Sequence, residues 1–142
     1  MKAEGVDLSA GMINIAKRNY PDAKFSLADM REFTTSDKVD AVWIGYSIFH
    51  FEQSGFEKTL TKIKTYLKQG GVLGIVVQEG KGEVEVPETF LLEKQIYIHL
   101  YTEQEAVSIL QKYGFEVIDI KRKLPLKNEF PYSKLLVIAR HK

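Results

Sequence analysis

The residues with the most suggestive chemistry lie near the N-terminus, in Gly5-Val6-Asp7-Leu8-Ser9-Ala10-Gly11-Met12. Val6 and its neighbours suit the end of a strand, Asp7 puts a carboxylate at that strand's carboxyl edge, and Ser9 offers an N-cap oxygen to a following helix. In open α/β sheets an acid so placed accepts hydrogen bonds from ribose hydroxyls, about 20 residues after a glycine-rich phosphate-binding turn. Only six residues precede Asp7, so that turn, its strand and its helix are expected to lie outside this sequence.

Three further groups of residues could take part in chemistry. Asp29 closes a second alternating stretch and is a candidate carboxylate at the same sheet edge. His50 ends the segment Tyr46-Ser47-Ile48-Phe49-His50, which follows an apolar run, and an imidazole there can accept a proton from a substrate hydroxyl or amine. Tyr97 and Tyr101 either line an acceptor pocket or pack as aromatics together with Phe90, and Glu79 ends a strand close to the same region. His50, His99 and His141 lack metal-ligand spacing, Asp40 suits a solvent-facing strand start, and Lys58, Lys62, Lys64 and Lys68 read as a solvated helix face.

Positioning these groups requires alternating strands and helices. Lys2 to Asp7 reads as a strand, and Ala10 to about Asn19 as a helix with Met12, Ile15, Ala16 and Tyr20 on one stripe, stopped by Pro21. Ala23, Phe25 and Leu27 alternate into a second strand, Met30 to Lys38 is a polar connection, and Val39 to Ile44 is an apolar run suited to a buried parallel strand. Ser54-Gly55-Phe56-Glu57 has the form of a capping box opening a helix, with Phe56, Leu60, Ile63 and Leu67 inward and Gly70 ending it. Val72 to Gln78 is a further buried strand, and Glu79 to Leu100 an excursion across the active-site edge carrying an edge hairpin. Thr102-Glu103-Gln104-Glu105 is a second capping box, with Gly114 ending its helix. Phe115 to Lys123 and Lys134 to Arg140 follow with no helix between them, so they should pair antiparallel.

Length and composition exclude several function classes. The 142 residues suit one domain. Twenty basic residues against 19 acidic ones leave a net charge of +1, too little to favour nucleic acid or an anionic membrane. Hydrophobic residues at 44% and charged ones at 27% fit a globular chain rather than a disordered one. With no cysteine, disulfides and thiolate metal sites are ruled out, and together with the lack of a signal peptide this leads to an expected cytoplasmic location.

Taken in order, Gly5-Val6-Asp7-Leu8-Ser9 with Met12, Ala28-Asp29-Met30, Val39-Asp40-Ala41-Val42, Leu67-Lys68-Gln69-Gly70-Gly71 and Tyr113-Gly114-Phe115-Glu116-Val117 make the chain resemble the class I S-adenosylmethionine-dependent methyltransferases. The resemblance implies a Rossmann-like three-layer α/β sandwich, mostly parallel with a C-terminal antiparallel strand pair, lacking the family's first strand and helix. It implies S-adenosyl-L-methionine as cofactor and a small-molecule methyl acceptor, while the near-neutral charge and short apolar runs lead to the expectation of no nucleic acid and no membrane as partner. In that family Asp7 matches the ribose-binding acid, Leu8 lies against the adenine, Asp29 accepts from the adenine amino group beside the Met30 amide, and Gly45 and Tyr46 line the methionine portion. His50 and Tyr46 are the catalytic candidates.

The family's glycine-rich loop holds the methionine carboxylate, and Gly80-Lys81-Gly82 is no substitute because no helix with a third glycine follows. Inactivity of the isolated chain is therefore an expectation. The alternative is a non-catalytic remnant acting in self-association or scaffolding, and a nicotinamide-dependent half-site is a third reading. Where the family's first strand would lie, three outcomes are open. The strands ending at Asp7 and Ile44 pair directly, a second copy covers the sheet, or the chain is part of a longer protein.

Overall fold

Hydrophobic spacing is converted into twelve short elements in the computed structural model, which describes residues 2–88 and 93–142. They are β1 (Glu4–Asp7), α1 (Ala10–Asn19), β2 (Lys24–Leu27), β3 (Val39–Ile44), a 3-10 turn (Ile48–His50), α2 (Gln53–Tyr66), β4 (Leu67–Glu79), β5 (Gly82–Pro87), β6 (Gln95–Tyr101), α3 (Glu103–Lys112), β7 (Phe115–Lys123) and β8 (Lys134–His141). Phe90, a candidate packing aromatic, lies outside the described residues.

The spine is β4. Along its edges it pairs with β3 in parallel, with β8 antiparallel and, at Gln78 and Glu79 only, with β6 in parallel. The expected hairpin is β5–β6, and β7–β8 is the expected antiparallel pair. Leu73, Ile75 and Val77 of β4 and Leu135, Val137 and Ala139 of β8 alternate onto one face. Phe56, Leu60 and Ile63 of α2 and Ala106 and Leu110 of α3 cover that face in a single core. Thr102 opens α3 through the reciprocal cap expected of it: its hydroxyl accepts from the Glu105 amide at 3.2 Å, and Glu105 Oε2 accepts from the Thr102 amide at 2.8 Å.

Two helix boundaries differ from expectation. The N-cap of α2 is Glu52, not Ser54, because the 3-10 turn runs straight into the helix and the Glu52 carbonyl already accepts from Gly55 and Phe56. Glu57 is thereby freed from capping, and its carboxylate instead accepts from Gln53 Nε2 at 2.9 Å and from the Tyr113 hydroxyl at 2.7 Å. Gly70 is left-handed as expected, with φ 76°, yet α2 has already ended at Tyr66. Fully buried Leu67 pairs with Val39, and Gly70 instead lies where the β3–β4 register shifts, between the pairs Val39↔Leu67 and Ala41↔Val72.

The largest departure concerns β1 and β2. They pair in parallel, Asp7 opposite Leu27, as a separate two-stranded sheet with no ladder to β3. Direct pairing of β1 with β3 is therefore not what the chain adopts. The small sheet is anchored through the segment after β2, where Met30 and Phe33 pack on the main core and Phe33 meets Tyr66 edge-on at 5.7 Å. On α1 the buried residue is Ile13, whereas the stripe residue Met12 is 56% exposed and Ile15 and Tyr20 are exposed too. An apolar stripe stays wet when no element among the described residues faces it.

Candidate active site

At the carboxyl ends of β1 and β2, the structure brings two of the sequence candidates together. Asp7 ends β1, and its main-chain oxygen accepts from the Ala28 amide at 3.0 Å, so Asp29 follows on the same rim. Asp7 Oδ1 accepts from the Ser9 amide at 2.7 Å, and the Ser9 hydroxyl in turn accepts from Met12, opening α1. The other carboxylate oxygen points to no described donor and is available to a ribose hydroxyl. Leu8 beside it is exposed.

Asp29 stands on the expected rim, with its carboxylate engaged by a neighbour. Both of its oxygens are held by the Arg31 guanidinium, with Nε at 3.0 Å from each and Nη2 at 2.5 Å from Oδ2, and Oδ1 also accepts from the Arg31 amide. The side-chain hydrogen bond from Arg31 holds the Asp29 carboxyl below its usual range. Arg31 is itself steadied over the Phe51 ring, 4.5 Å from its centroid. An adenine amino group would compete with this fork.

Beyond β3, Tyr46 and His50 line a cavity of about 300 Å³, whereas Gly45, Glu79, Tyr97 and Tyr101 do not. Tyr46 enters it from the turn after Ile44 with φ 57°, a left-handed conformation uncommon for a tyrosine. His50 lines the cavity, and its Nδ1 lies 3.0 Å from the Tyr97 carbonyl. A carbonyl can only accept, so Nδ1 carries a proton, which in the neutral form of the ring makes Nε2 the acceptor. Phe49, Ile96 and Phe130 form the apolar wall.

Tyr97 thus acts through its backbone, while its hydroxyl donates to Glu83 at 2.7 Å and, with burial as the larger cause, its pKa is pushed up to about 12. Tyr101 is wholly buried against Phe56 and is a packing aromatic, not a cavity residue. Glu79 is taken by Arg122, which donates Nε and Nη2 at 2.7 Å each. His99 stacks on Tyr101, and His141 Nδ1 lies 3.2 Å from the Leu67 carbonyl.

Sequence reasoning missed Gln78, Glu88, Glu129 and Lys134, which all line the cavity. Gln78 reads as the last residue of a buried strand, and Lys134 as the first of another. Only the pairing of β4 with β8, Gln78 opposite Lys134, puts them side by side. Lys134 is buried against the Glu129 carboxylate, and its Nζ lies 5.6 Å from the centroid of the Tyr46 ring.

The rim offers groups of the kind a nucleoside needs, a carboxylate at Asp7 and an exposed apolar side chain at Leu8, and Tyr46 joins the segment after β3 to the cavity. No glycine-rich turn at a helix start is present among the described residues to hold a carboxylate. Gly80 and Gly82 instead form the β4–β5 turn.

The family profile described as methyltransferase domain matches residues 1–71, half of the chain. The ubiquinone/menaquinone biosynthesis C-methyltransferase of Campylobacter jejuni is 25% identical over 145 aligned positions, covering 85% of this chain and 61% of that protein. The chain thus spans about three fifths of the length of the curated relatives it matches. Among solved structures, an S-adenosylmethionine-dependent methyltransferase of Methanosarcina mazei superposes with a TM-score of 0.83 at 16% identity, over 96% of this chain and 80% of that one. The 1,6-didemethyltoxoflavin-N1-methyltransferase of Burkholderia thailandensis, solved with S-adenosylhomocysteine, gives a TM-score of 0.74 at 19% identity, over 98% of this chain and 60% of that one. These likenesses establish the Rossmann-like fold expected from the sequence. No helix among the described residues is long and apolar enough to cross a membrane.

Proposed function

Because the chain belongs to the methyltransferase domain family, we propose that it serves methyl transfer from S-adenosylmethionine to a small molecule seated in the cavity beside Tyr46 and His50. The observation that carries this reading is the single rim formed by adjacent parallel strands, with Asp7 at its nucleoside end. Asp7 would hold the ribose, Leu8 the adenine face, the Met30 amide the adenine edge, and Gly45 and Tyr46 the portion near the reacting methyl. When bound, S-adenosylmethionine supplies a methyl group on a sulfonium and leaves as S-adenosylhomocysteine.

The protein's part is mostly positional. Holding a nucleophile at attack distance supplies about 7–11 kcal/mol of the barrier, whereas a general base adds roughly 10²–10⁴ in rate. His50 Nε2 would take the proton that a hydroxyl or amine gives up as its lone pair bonds to carbon, a role its Nδ1 contact with the Tyr97 carbonyl supports. Phe49, Ile96 and Phe130 give the acceptor an apolar wall to pack against. Near-neutral net charge supports a small-molecule acceptor over nucleic acid or a membrane surface.

Calorimetric titration with S-adenosylhomocysteine, and with NAD as the control nucleotide, tests the cofactor assignment. Binding of the first alone, weakened about tenfold by Asp7→Ala, is expected, a loss of about 1.4 kcal/mol. Silence with both ligands would favour the second reading, a non-catalytic scaffold. That reading draws on the unjoined β1–β2 and β3 edges and on the exposed apolar residues Leu8, Met12, Leu27 and Trp43.

A further inference from the structure

We propose that the cavity beside His50 selects methyl acceptors that donate hydrogen bonds and are neutral or cationic, with Gln78 as the residue that recognises the donor, and that it rejects anions. This rests on the reading of the cavity as the acceptor site.

The first support is Gln78 itself. It ends β4, is 3% exposed and lines the cavity, yet its Oε1 has no hydrogen-bond partner among the described residues. A buried unpaired carbonyl costs about 1–3 kcal/mol, so a donor that reaches Gln78 Oε1 recovers that cost. Rotation about the last side-chain bond turns the carboxamide oxygen toward the cavity without moving the strand.

The second support is the balance of the other polar groups. His50 Nε2 is an acceptor once Nδ1–H is given to the Tyr97 carbonyl. Glu88 adds a carboxylate, and the Glu129 carboxylate is shared by Lys134 Nζ and the Leu126 amide. Among the described residues Lys134 is the one lysine or arginine of the lining, and Glu129 already occupies it, so beside the neutral Asn128 amide and Tyr46 hydroxyl the cavity carries one uncompensated negative charge, that of Glu88. A carboxylate or phosphate entering beside Glu88 would meet a like charge, with only the neutral Gln78 and Asn128 amides and the Tyr46 hydroxyl as donors and no free cation among the described residues to offset it. An amine or phenol meets acceptors along a wall of Phe49, Ile96 and Phe130. The volume, about 300 Å³, is at the small end of ligand sites and suits a one-ring molecule.

Tyramine and 4-hydroxyphenylacetate share a phenol ring and similar length but carry opposite charges. Their binding to the intact protein by ligand-observed NMR, with no cofactor added, tests the proposal independently of cofactor binding. Tyramine is expected to bind at least tenfold more tightly, Glu88→Lys to abolish or invert that preference, and Gln78→Leu to weaken tyramine about tenfold without lowering the melting temperature. A lowered melting temperature in Gln78→Leu with unchanged tyramine binding would make Gln78 structural and overturn its role. Equal or tighter binding of 4-hydroxyphenylacetate would overturn the charge selection. If S-adenosylhomocysteine fails to bind while the tyramine preference holds, the cofactor assignment fails and the pocket chemistry stands.

Discussion

Arg31 and Asp29 are two residues apart and form a forked ion pair at the rim where an adenine is expected. A short tether and a planar guanidinium make such a fork geometrically easy, and the stacking on Phe51 holds it in place. Asp29 has a depressed folded-state pKa, so its contribution to stability is present above the ordinary aspartate range and is lost as pH falls through the depressed value. Glu79, lowered by Arg122, has the same sign. Arg31→Met should therefore flatten the loss of stability between neutral and strongly acid pH, as read by urea unfolding at pH 7 and pH 3. An unchanged slope would mean that the fork contributes nothing in solution. The same variant leaves the Asp29 carboxylate open at the rim.

At the scale of elements, α3 is held by signals that are local in sequence. The Thr102–Glu105 box satisfies its first amides, and Gly114, at φ 83°, turns the chain out of it directly into β7. The Glu105 carboxyl is lowered chiefly by the Thr102 backbone hydrogen bond, so this cap too weakens in acid. Thr102→Ala should cost about 1 kcal/mol, a fall in melting temperature of about 4 °C at this chain length. Differential scanning calorimetry measures it. In α2 the corresponding Ser54→Ala should change little, because Glu52, not Ser54, occupies the N-cap. A loss of equal size in both variants would place the start of α2 at Ser54 after all.

For the molecule as a whole, the open question is the space between β1 and β3. Both strands keep a backbone edge without a ladder partner among the described residues, and the Trp43 ring lies against Gly74 with 60% of its surface exposed. The Trp43 side chain sits on the face opposite Val42 and Ile44, away from the α2 core. Edges of this kind recruit strands, and α1 adds a wet apolar stripe beside them. Self-association through this region is expected to appear in size-exclusion chromatography with light scattering as a mass that rises with concentration. Trp43 is the sole tryptophan, so its emission should shift to the blue over the same range, and Trp43→Lys should remain monomeric. A monodisperse monomer whose Trp43 emission stays red at all concentrations would rule out self-association.

The sequence by itself determined the order and type of the elements, the strand-end carboxylate at Asp7, the capping of α1 and α3, and the antiparallel ending. Each of these depends on neighbours within a few residues, through periodicity, caps and turn chemistry. Only the tertiary structure decided that Asp29 pairs with Arg31 and bears on Phe51, that Tyr101 is core while Tyr97 orients His50 through its carbonyl, and that Gln78 and Lys134 share one cavity. Those outcomes join residues such as Gln78 and Lys134 that are distant along the chain. Strand register and side-chain competition choose such partners, and neither leaves a periodic trace. The separation of β1 from β3 belongs to the same class, since the apolar stripe of α1 records that it should be covered but not what covers it.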